Sequence, residues 1–382
     1  MKEMGSNYIY LDYAASTPIR DEVLSELNKI EKELIGNPSS VHSAGRSSMN
    51  KLDAARKIVA DILNCESGEI VFTSGGTESN TLALMGFADA HPKGHIITSS
   101  FEHKAVLENL KLLEGRGWKI SYIKPDKNGL INAKKVIDEI KDNTRLVSIM
   151  YVNNEIGTIQ PIREIGKQLE SLNRTRTNKI YFHTDAVQAA PVLEVNSKYL
   201  HVDLMTLSSH KIGGPKGGGL LFVKKGTPLH PIINGGGQER GFRSGTQNIY
   251  SAIGLALALE QTGKNLAKEV KRLHALQNKI LTAVNKLDGV VVNGTGKQKS
   301  PAIVNFSWKK YSSDELVIAL DRIGIAVSAA SACASGSIQK SHVLSEVPIP
   351  EWRAASSVRI SMGHSTATSD INKLIAALKK MA

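Results

Sequence analysis

The sequence predicts an α/β protein: a seven-stranded, mostly parallel sheet in a large domain, followed by a smaller α+β C-terminal domain. Three observations carry this prediction. Short apolar runs read as strands at Ile70–Thr73, His95–Ser99, Lys119–Ile123, Leu146–Val152, Ile180–Thr184, Val202–Leu207 and Gly219–Val223. Helical segments alternate with them, which implies parallel strands covered on both faces. A long helical pattern from about Ile249 to Leu287 then leads into a remainder with fewer strands. The expected division puts residues 16–262 in the large domain, and residues 1–15 with 263–382 in the small one.

Bulk properties narrow the class. The chain has 382 residues, 41% hydrophobic and 22% charged, ordinary values for a soluble globular protein with room for two domains. No uninterrupted apolar segment is long enough for a bilayer, so no membrane partner is expected. The start, MKEMGSNYIYLDYAAS, lacks the apolar stretch of a signal peptide, and the expected location is cytoplasmic. Two cysteines, Cys65 and Cys333, make no disulfide framework. The net charge of +12 is uneven: residues 261–310 hold ten Lys or Arg against Glu269 and Asp288. That run reads as a solvated helix face; an acidic protein or RNA is the sharper alternative.

Taken in order, Tyr8–Tyr13 is extended, and a helix follows Pro18 with Val23, Leu24, Leu27 and Ile30 at helical spacing. Gly36–Arg46, GNPSSVHSAGR, is a polar loop. A helix is expected from about Ser47 to Leu63. Cys65 follows it as a structural thiol, because no basic neighbour is present to activate it. In Glu69–Leu84, EIVFTSGGTESNTLAL, a strand passes through a tight turn into a helix beginning at Thr77 or Glu78. That turn offers backbone N–H groups, from Gly76 onward, and the Thr77 hydroxyl to an anion. It is neither a dinucleotide fingerprint nor a Walker loop.

In such sheets the chemistry sits at the carboxyl ends of the strands. Polar residues cluster there: Thr77; Glu102 and His103; Asn153, Asn154 and Glu155; His183, Asp185 and Gln188; Ser208, His210 and Lys211. Five such ends in register point to a single site. Lys211 lies just past an apolar strand in VDLMTLSSHKIGGPKGGG, where partial burial would favour the neutral amine and Schiff-base chemistry. Gly235–Asn248, GGGQERGFRSGTQN, is a glycine-rich loop with a polar tip. In the remainder, Ala302–Ser307 and Ala326–Ser328 read as strands, Ser313–Ile323 as a helix capped by Ser313, and Ile371–Met381 as the last helix. Cys333 lies in a run of Ala, Ser and Gly that suits an exposed loop, and is either incidental or a nucleophile.

Together, LDYAASTP, GNPSSVH, TSGGTESN, FEHKAV, VNNEIGTIQPI, HTDAVQA, DLMTLSSHKIGGPKG, GGGQERGFRSGT, ASACASGS followed by SHVL, and VRISMG resemble the pyridoxal-phosphate-dependent cysteine desulfurases. These belong to the class V branch of fold-type I enzymes. The segment around Cys333 resembles the first desulfurase group, which includes the nitrogen-fixation and housekeeping iron–sulfur types. The resemblance implies that Lys211 binds pyridoxal 5'-phosphate as a Schiff base and moves the substrate Cα proton. Asp185 would pair with the pyridinium nitrogen, Gln188 with the ring hydroxyl, and His103 would stack on the ring and relay protons as a catalytic residue. Thr77, Ser208 and His210 would bind the phosphate. Thr246 would reach the phosphate of the neighbouring subunit, which implies a homodimer. Asn154 and Arg359 would hold the carboxylate of L-cysteine. Cys333 would take the sulfur as a persulfide, leaving L-alanine, and no metal is implied.

The implied partners are sulfur acceptors: an iron–sulfur scaffold, or a tRNA-thiolation or cofactor-sulfuration protein. Two departures stand out: Lys340 occupies a position where the family commonly has proline, and the chain ends soon after its last helix, without the longer tail that docks the scaffold in housekeeping members. The second leaves room for a dedicated acceptor. Selenocysteine lyase is the alternative activity. A non-catalytic relay scaffold has no physical need for Lys211, Asp185 and Cys333 together.

Overall fold

The computed structural model describes residues 8–329 and 340–382. The first strand, β1 (Ile9–Tyr10), is short. Seven strands then form the main sheet: β2 (Ile70–Thr73), β3 (His95–Ser99), β4 (Lys119–Ile123), β5 (Thr144–Ser148), β6 (Tyr181–Asp185), β7 (Leu204–Ser208) and β8 (Gly219–Val223). Their order across the sheet is β2-β8-β7-β6-β5-β3-β4. Strands β3 to β7 pair in parallel, while β8 runs antiparallel to both β7 and β2. The expected seven-stranded, mostly parallel sheet is therefore present.

Four expected strands keep their bounds, and three shift. The largest shift is at β5, expected to continue to Val152. Ile149, Met150 and Val152 are buried, and the Ile149 and Tyr151 N–H groups still donate to His183 and Asp185 carbonyls. Val152, however, bridges Ile159 in a local turn instead of extending the ladder. Apolar periodicity alone does not separate such a buried extended segment from a paired strand.

The second unit is an antiparallel sheet of four strands: β9 (Val290–Asn293), β10 (Ile303–Trp308), β12 (Ser328–Ala329) and β13 (Ser357–Ser361), in the order β12-β13-β10-β9. The strand expected at Ala326–Ser328 is split at Val327. Its first part, β11 (Ile325–Ala326), pairs in parallel with β1, and β12 pairs with β13. The N-terminal segment is thereby stitched to the C-terminal part of the chain.

The helix Ile249–Val284, 36 residues and so about 54 Å long, joins the two sheets. Its first half packs Ala252, Leu255, Ala256 and Leu259 into the core of the main sheet. Its second half packs Leu273, Leu276, Ile280 and Val284 against Val304, Phe306 and Ile360. Residues 261–310 are not a uniform basic face: Lys264 pairs with Glu260, Arg272 pairs with Glu269, and partly buried Lys299 has its pKa lowered by desolvation to about 8.

Local capping explains the helix ends that differ from expectation. The helix Ser43–Leu63 starts four residues early because the His42 imidazole accepts from Gly45 N at 3.2 Å. The helix Ser313–Asp321 is capped by Ser312, not Ser313. Glu315 lies three residues after Ser312 and completes a reciprocal capping box with it, while Ser313 donates instead to the Ala355 carbonyl. The last helix begins at Thr368 instead of Ile371, with Asp370 accepting from Ala367 N.

Candidate active site

A cavity of about 560 Å3 opens at the carboxyl ends of the main-sheet strands and is closed on one side by β12 and β13. Gly76, Thr77, His103, Asn154, Asp185, Gln188, Ser208, His210, Lys211 and Arg359 all line it. These residues span most of the chain, and the crossovers of the parallel sheet bring them together.

Asp185 ends β6. Its carboxylate accepts from Asn80 Nδ2 at 2.7 Å and from Val187 N at 3.0 Å, which fixes its orientation. Ser208 ends β7, and the turn Ser209–Lys211 carries Lys211 back over the cavity. Lys211 Nζ donates to the carbonyls of Ala14 and Ala15, both at 2.6 Å. Gln188 Nε2 also donates to Ala14 O, at 2.8 Å. Thr17 binds the His210 carbonyl through both its N–H and its hydroxyl, each at 2.9 Å. The LDYAAST segment is thus the clamp that holds the lysine turn. Sequence reasoning gave it no structural role, although the motif itself was visible.

The turn after β2 is the one expected to cradle an anion. Glu78 Oε2 accepts from Ser74 N at 2.9 Å, and the helix begins at Gly76. Gly219 of β8 passes so close that a Cβ there would lie 2.5 Å from Gly75 Cα, so only glycine fits. Facing this turn, Ser208 Oγ is buried with no hydrogen-bond partner. Burial and the nearby Lys211 push the His210 pKa down to about 4, so its ring is neutral and can donate one N–H. Helix-start N–H groups, two hydroxyls and a neutral imidazole suit a phosphate. With an anchored carboxylate and a lysine across the cavity, the residues present fit pyridoxal phosphate.

His103 plays two parts. Its Nδ1 accepts from Ala105 N at 3.1 Å and so caps the helix Lys104–Gly115. That bond places the proton of the neutral ring on Nε2. Burial lowers its pKa, although one edge opens into the cavity. Opposite, Arg359 of β13 donates from Nη1 to the Asn154 carbonyl at 3.0 Å and from Nη2 to Asp12 Oδ1 at 2.7 Å. Arg359 Nε and Asn154 Oδ1 are buried without partners.

Other expected residues lie behind the cavity. His183 is fully buried between Ser148 Oγ (2.8 Å) and Thr206 Oγ1 (3.2 Å), with its pKa lowered to about 3 by desolvation. Asn153 accepts from the N–H groups of Glu155 and Ile156, closing a turn. Glu102 is fully buried, accepts from Ser99 Oγ and Met150 N, and has its pKa raised by burial to about 8. Glu155 does line the cavity; burial raises its pKa to about 7, and it accepts from Ser341 Oγ. Next to Ser341, His342 also lines the cavity and bonds the Glu102 carbonyl at 3.1 Å. Sequence reasoning passed over His342; its signal was the SHVL motif.

Thr246 lies outside this cavity, in a surface groove with Asn37, Pro38 and Tyr250. Cys333 lies outside the described residues, but Ala329 and Lys340, which flank that stretch, both line the cavity. The Cys65 thiol is half-buried, and desolvation raises its pKa to about 12, which keeps it protonated. Among the described residues, no helix is long and apolar enough to cross a membrane.

A lysine and an aspartate at neighbouring strand ends, beside a phosphate-sized turn, define a pyridoxal-phosphate enzyme built on an α/β sheet. The chain belongs to the aminotransferase class-V family, whose sequence profile matches residues 9–374. A cysteine desulfurase IscS of Dictyoglomus turgidum is 42% identical over 376 residues, covering 98% of this chain and 94% of that protein. A solved NifS-like protein superposes with a TM-score of 0.91 at 32% identity, over 98% of this chain and 99% of that one. A structure described as SspA in complex with cysteine superposes with a TM-score of 0.80 at 35% identity, over 93% of this chain and 98% of that one.

Proposed function

We infer that this chain is a pyridoxal-phosphate-dependent cysteine desulfurase, converting L-cysteine to L-alanine and passing the sulfur to Cys333. The observation that carries the reading is that Lys211, Asp185 and Arg359 face one cavity. The high identity of relatives named cysteine desulfurase supports it.

The cofactor, when bound, supplies an electron sink for charge developing at the substrate Cα. The protein's own groups do the rest. Asp185, held by Asn80 and Val187 N, would keep a proton on the ring nitrogen. Thr77, Ser208 and the neutral His210 bind the phosphate, with the backbone N–H groups from Gly76 onward. Gln188 would bind the ring hydroxyl, and His103 would stack on the ring. Arg359 receives the substrate carboxylate through its unpartnered Nε–H, and Asn154 joins it through the N–H donors of its side-chain amide. Lys211 Nζ moves the Cα proton, and the Ala14 and Ala15 carbonyls fix where its amine sits. The Cys333 thiolate attacks the substrate sulfur: an S–S bond forms at Cys333 while the substrate's C–S bond breaks, leaving a persulfide and, after protonation of the carbon, alanine.

The same reading includes a homodimer in which Thr246 reaches the neighbouring subunit's phosphate. It places the enzyme in the cytoplasm, with the large domain at 16–262, and has it serving a sulfur acceptor for iron–sulfur cluster assembly, tRNA thiolation or cofactor sulfuration. The test is alanine and sulfide production from L-cysteine with a reducing thiol, for wild type and Cys333→Ala, with visible spectra recorded. A Cys333→Ala variant that keeps its colour and releases no sulfur supports the reading. Equal activity in both would make the persulfide route wrong and favour a lyase.

A further inference from the structure

We propose that Asp12 is a built-in counter-ion for Arg359 that competes with the substrate's carboxylate and so sets the affinity for it. The proposal rests on the reading that Arg359 receives that carboxylate. Arg359 is only 6% exposed, and a guanidinium buried this far is costly without an acid. Asp12 supplies that acid, with Oδ1 2.7 Å from Nη2, and it lines the same cavity. The contact uses one oxygen of Asp12 and leaves Arg359 Nε buried with no partner. Asn154 closes the other side: its carbonyl accepts from Nη1, and its own side-chain oxygen is also buried and unpartnered. The Nε–H left over on an already compensated guanidinium makes a place for a second carboxylate, while the Asn154 oxygen, an acceptor, adds no bond to it.

The Asp12 backbone is pinned, so its carboxylate can leave Arg359 only by rotating about its own side-chain bonds. Its residue forms a bridge with Ser361, and its carbonyl accepts from Ala15 N and from the Tyr10 hydroxyl. An incoming carboxylate therefore shares Arg359 with Asp12 and meets a like charge close by. The product, L-alanine, carries the same carboxylate and is loosened by the same repulsion.

The test compares Asp12→Asn and Asp12→Glu with wild type. Three quantities are measured: KM and kcat for L-cysteine, the Kd of L-alanine from the change in cofactor absorbance, and the melting temperature. Asparagine keeps the shape and removes the charge, so KM and the L-alanine Kd should fall about three- to tenfold while the protein melts earlier. Glutamate pushes the acid into the slot, so both constants should rise by a similar factor. The opposite signs are the signature, since a merely structural residue would weaken binding in both variants. If Asp12→Asn fails to fold, Asp12→Ser replaces it as the uncharged variant, with the same fall in both constants expected. Constants unchanged in Asp12→Glu, or raised in Asp12→Asn, would overturn it. If wild type makes no alanine from L-cysteine, the desulfurase reading fails, while the L-alanine titration still decides the role of Asp12. A wild type that does not bind L-alanine refutes the carboxylate slot itself.

Discussion

Two ranks of polar residues stand at the strand ends, and they differ in what their hydrogen-bonding groups are used for. In the rear rank, His183 is held by Ser148 and Thr206, and Asn153 accepts two N–H groups of its own turn. In the front rank, Ser208 Oγ, Asn154 Oδ1 and Arg359 Nε are buried with no partner and belong to residues that line the cavity. The residue types are similar and the positions are neighbours, as Asn153 and Asn154 show. Leftover capacity alone does not make a site, since Glu102 Oε2 behind the cavity is also buried with no partner; it serves chemistry where it faces the cavity, because native proteins otherwise satisfy buried polar groups internally.

The largest test of this contrast is Lys211→Ala. It removes the amine proposed to move the Cα proton and should cut alanine formation by about 1000-fold or more without loss of fold. Activity within about tenfold of wild type would break the comparison at its centre.

A buried ion pair away from the cavity should do the reverse. Arg56 grips the Glu239 carboxylate with two bonds of 2.8 Å, and Phe72 N adds a third. Glu239→Gln leaves the Arg56 charge buried and should cost about 3–5 kcal/mol of stability, read by urea denaturation. The protein that remains folded should keep its KM for L-cysteine; a raised KM would place this pair in the binding machinery.

Arg359→Gln should raise the KM for L-cysteine by about 10- to 100-fold, the equivalent of one or two charge-assisted hydrogen bonds. A fall in kcat with KM unchanged would move Arg359 out of the carboxylate role.

His183 gives the smallest effect and a definite pH sign. Its pKa falls from 6.5 to about 3 on folding, so the unfolded chain binds the extra proton. The stability it contributes is present above pH 6.5 and is lost as pH falls toward 3. His183→Gln should therefore flatten the acid side of the stability curve, seen as urea midpoints that change less than wild type between pH 7 and pH 5. An unchanged pH slope would mean that His183 is not the titrating group.

The fold was largely legible from sequence because its seven strands are short apolar runs bounded by turn residues, and four of them kept their bounds. The front rank was legible through its family motifs, and Lys211 also through its own setting, just past an apolar strand. What stayed hidden were relations between distant segments. Nothing local in LDYAAST says that its carbonyls hold Lys211, or that Asp12 meets Arg359 across 347 positions. The split at Val327 was equally hidden, because the two halves of that run pair with different sheets. Rear and front ranks could not be separated either, since the difference lies in which partners the fold supplies, not in residue type.

The most direct measurement is to identify the lysine that carries the cofactor. The cofactor-loaded enzyme is reduced with borohydride, digested, and searched by mass spectrometry for the pyridoxyl-modified peptide. Lys104 and Lys340 line the same cavity as Lys211, so the assignment is a real choice. The label is expected on Lys211 alone. A label on Lys104 or Lys340, or none on any lysine, would contradict the account.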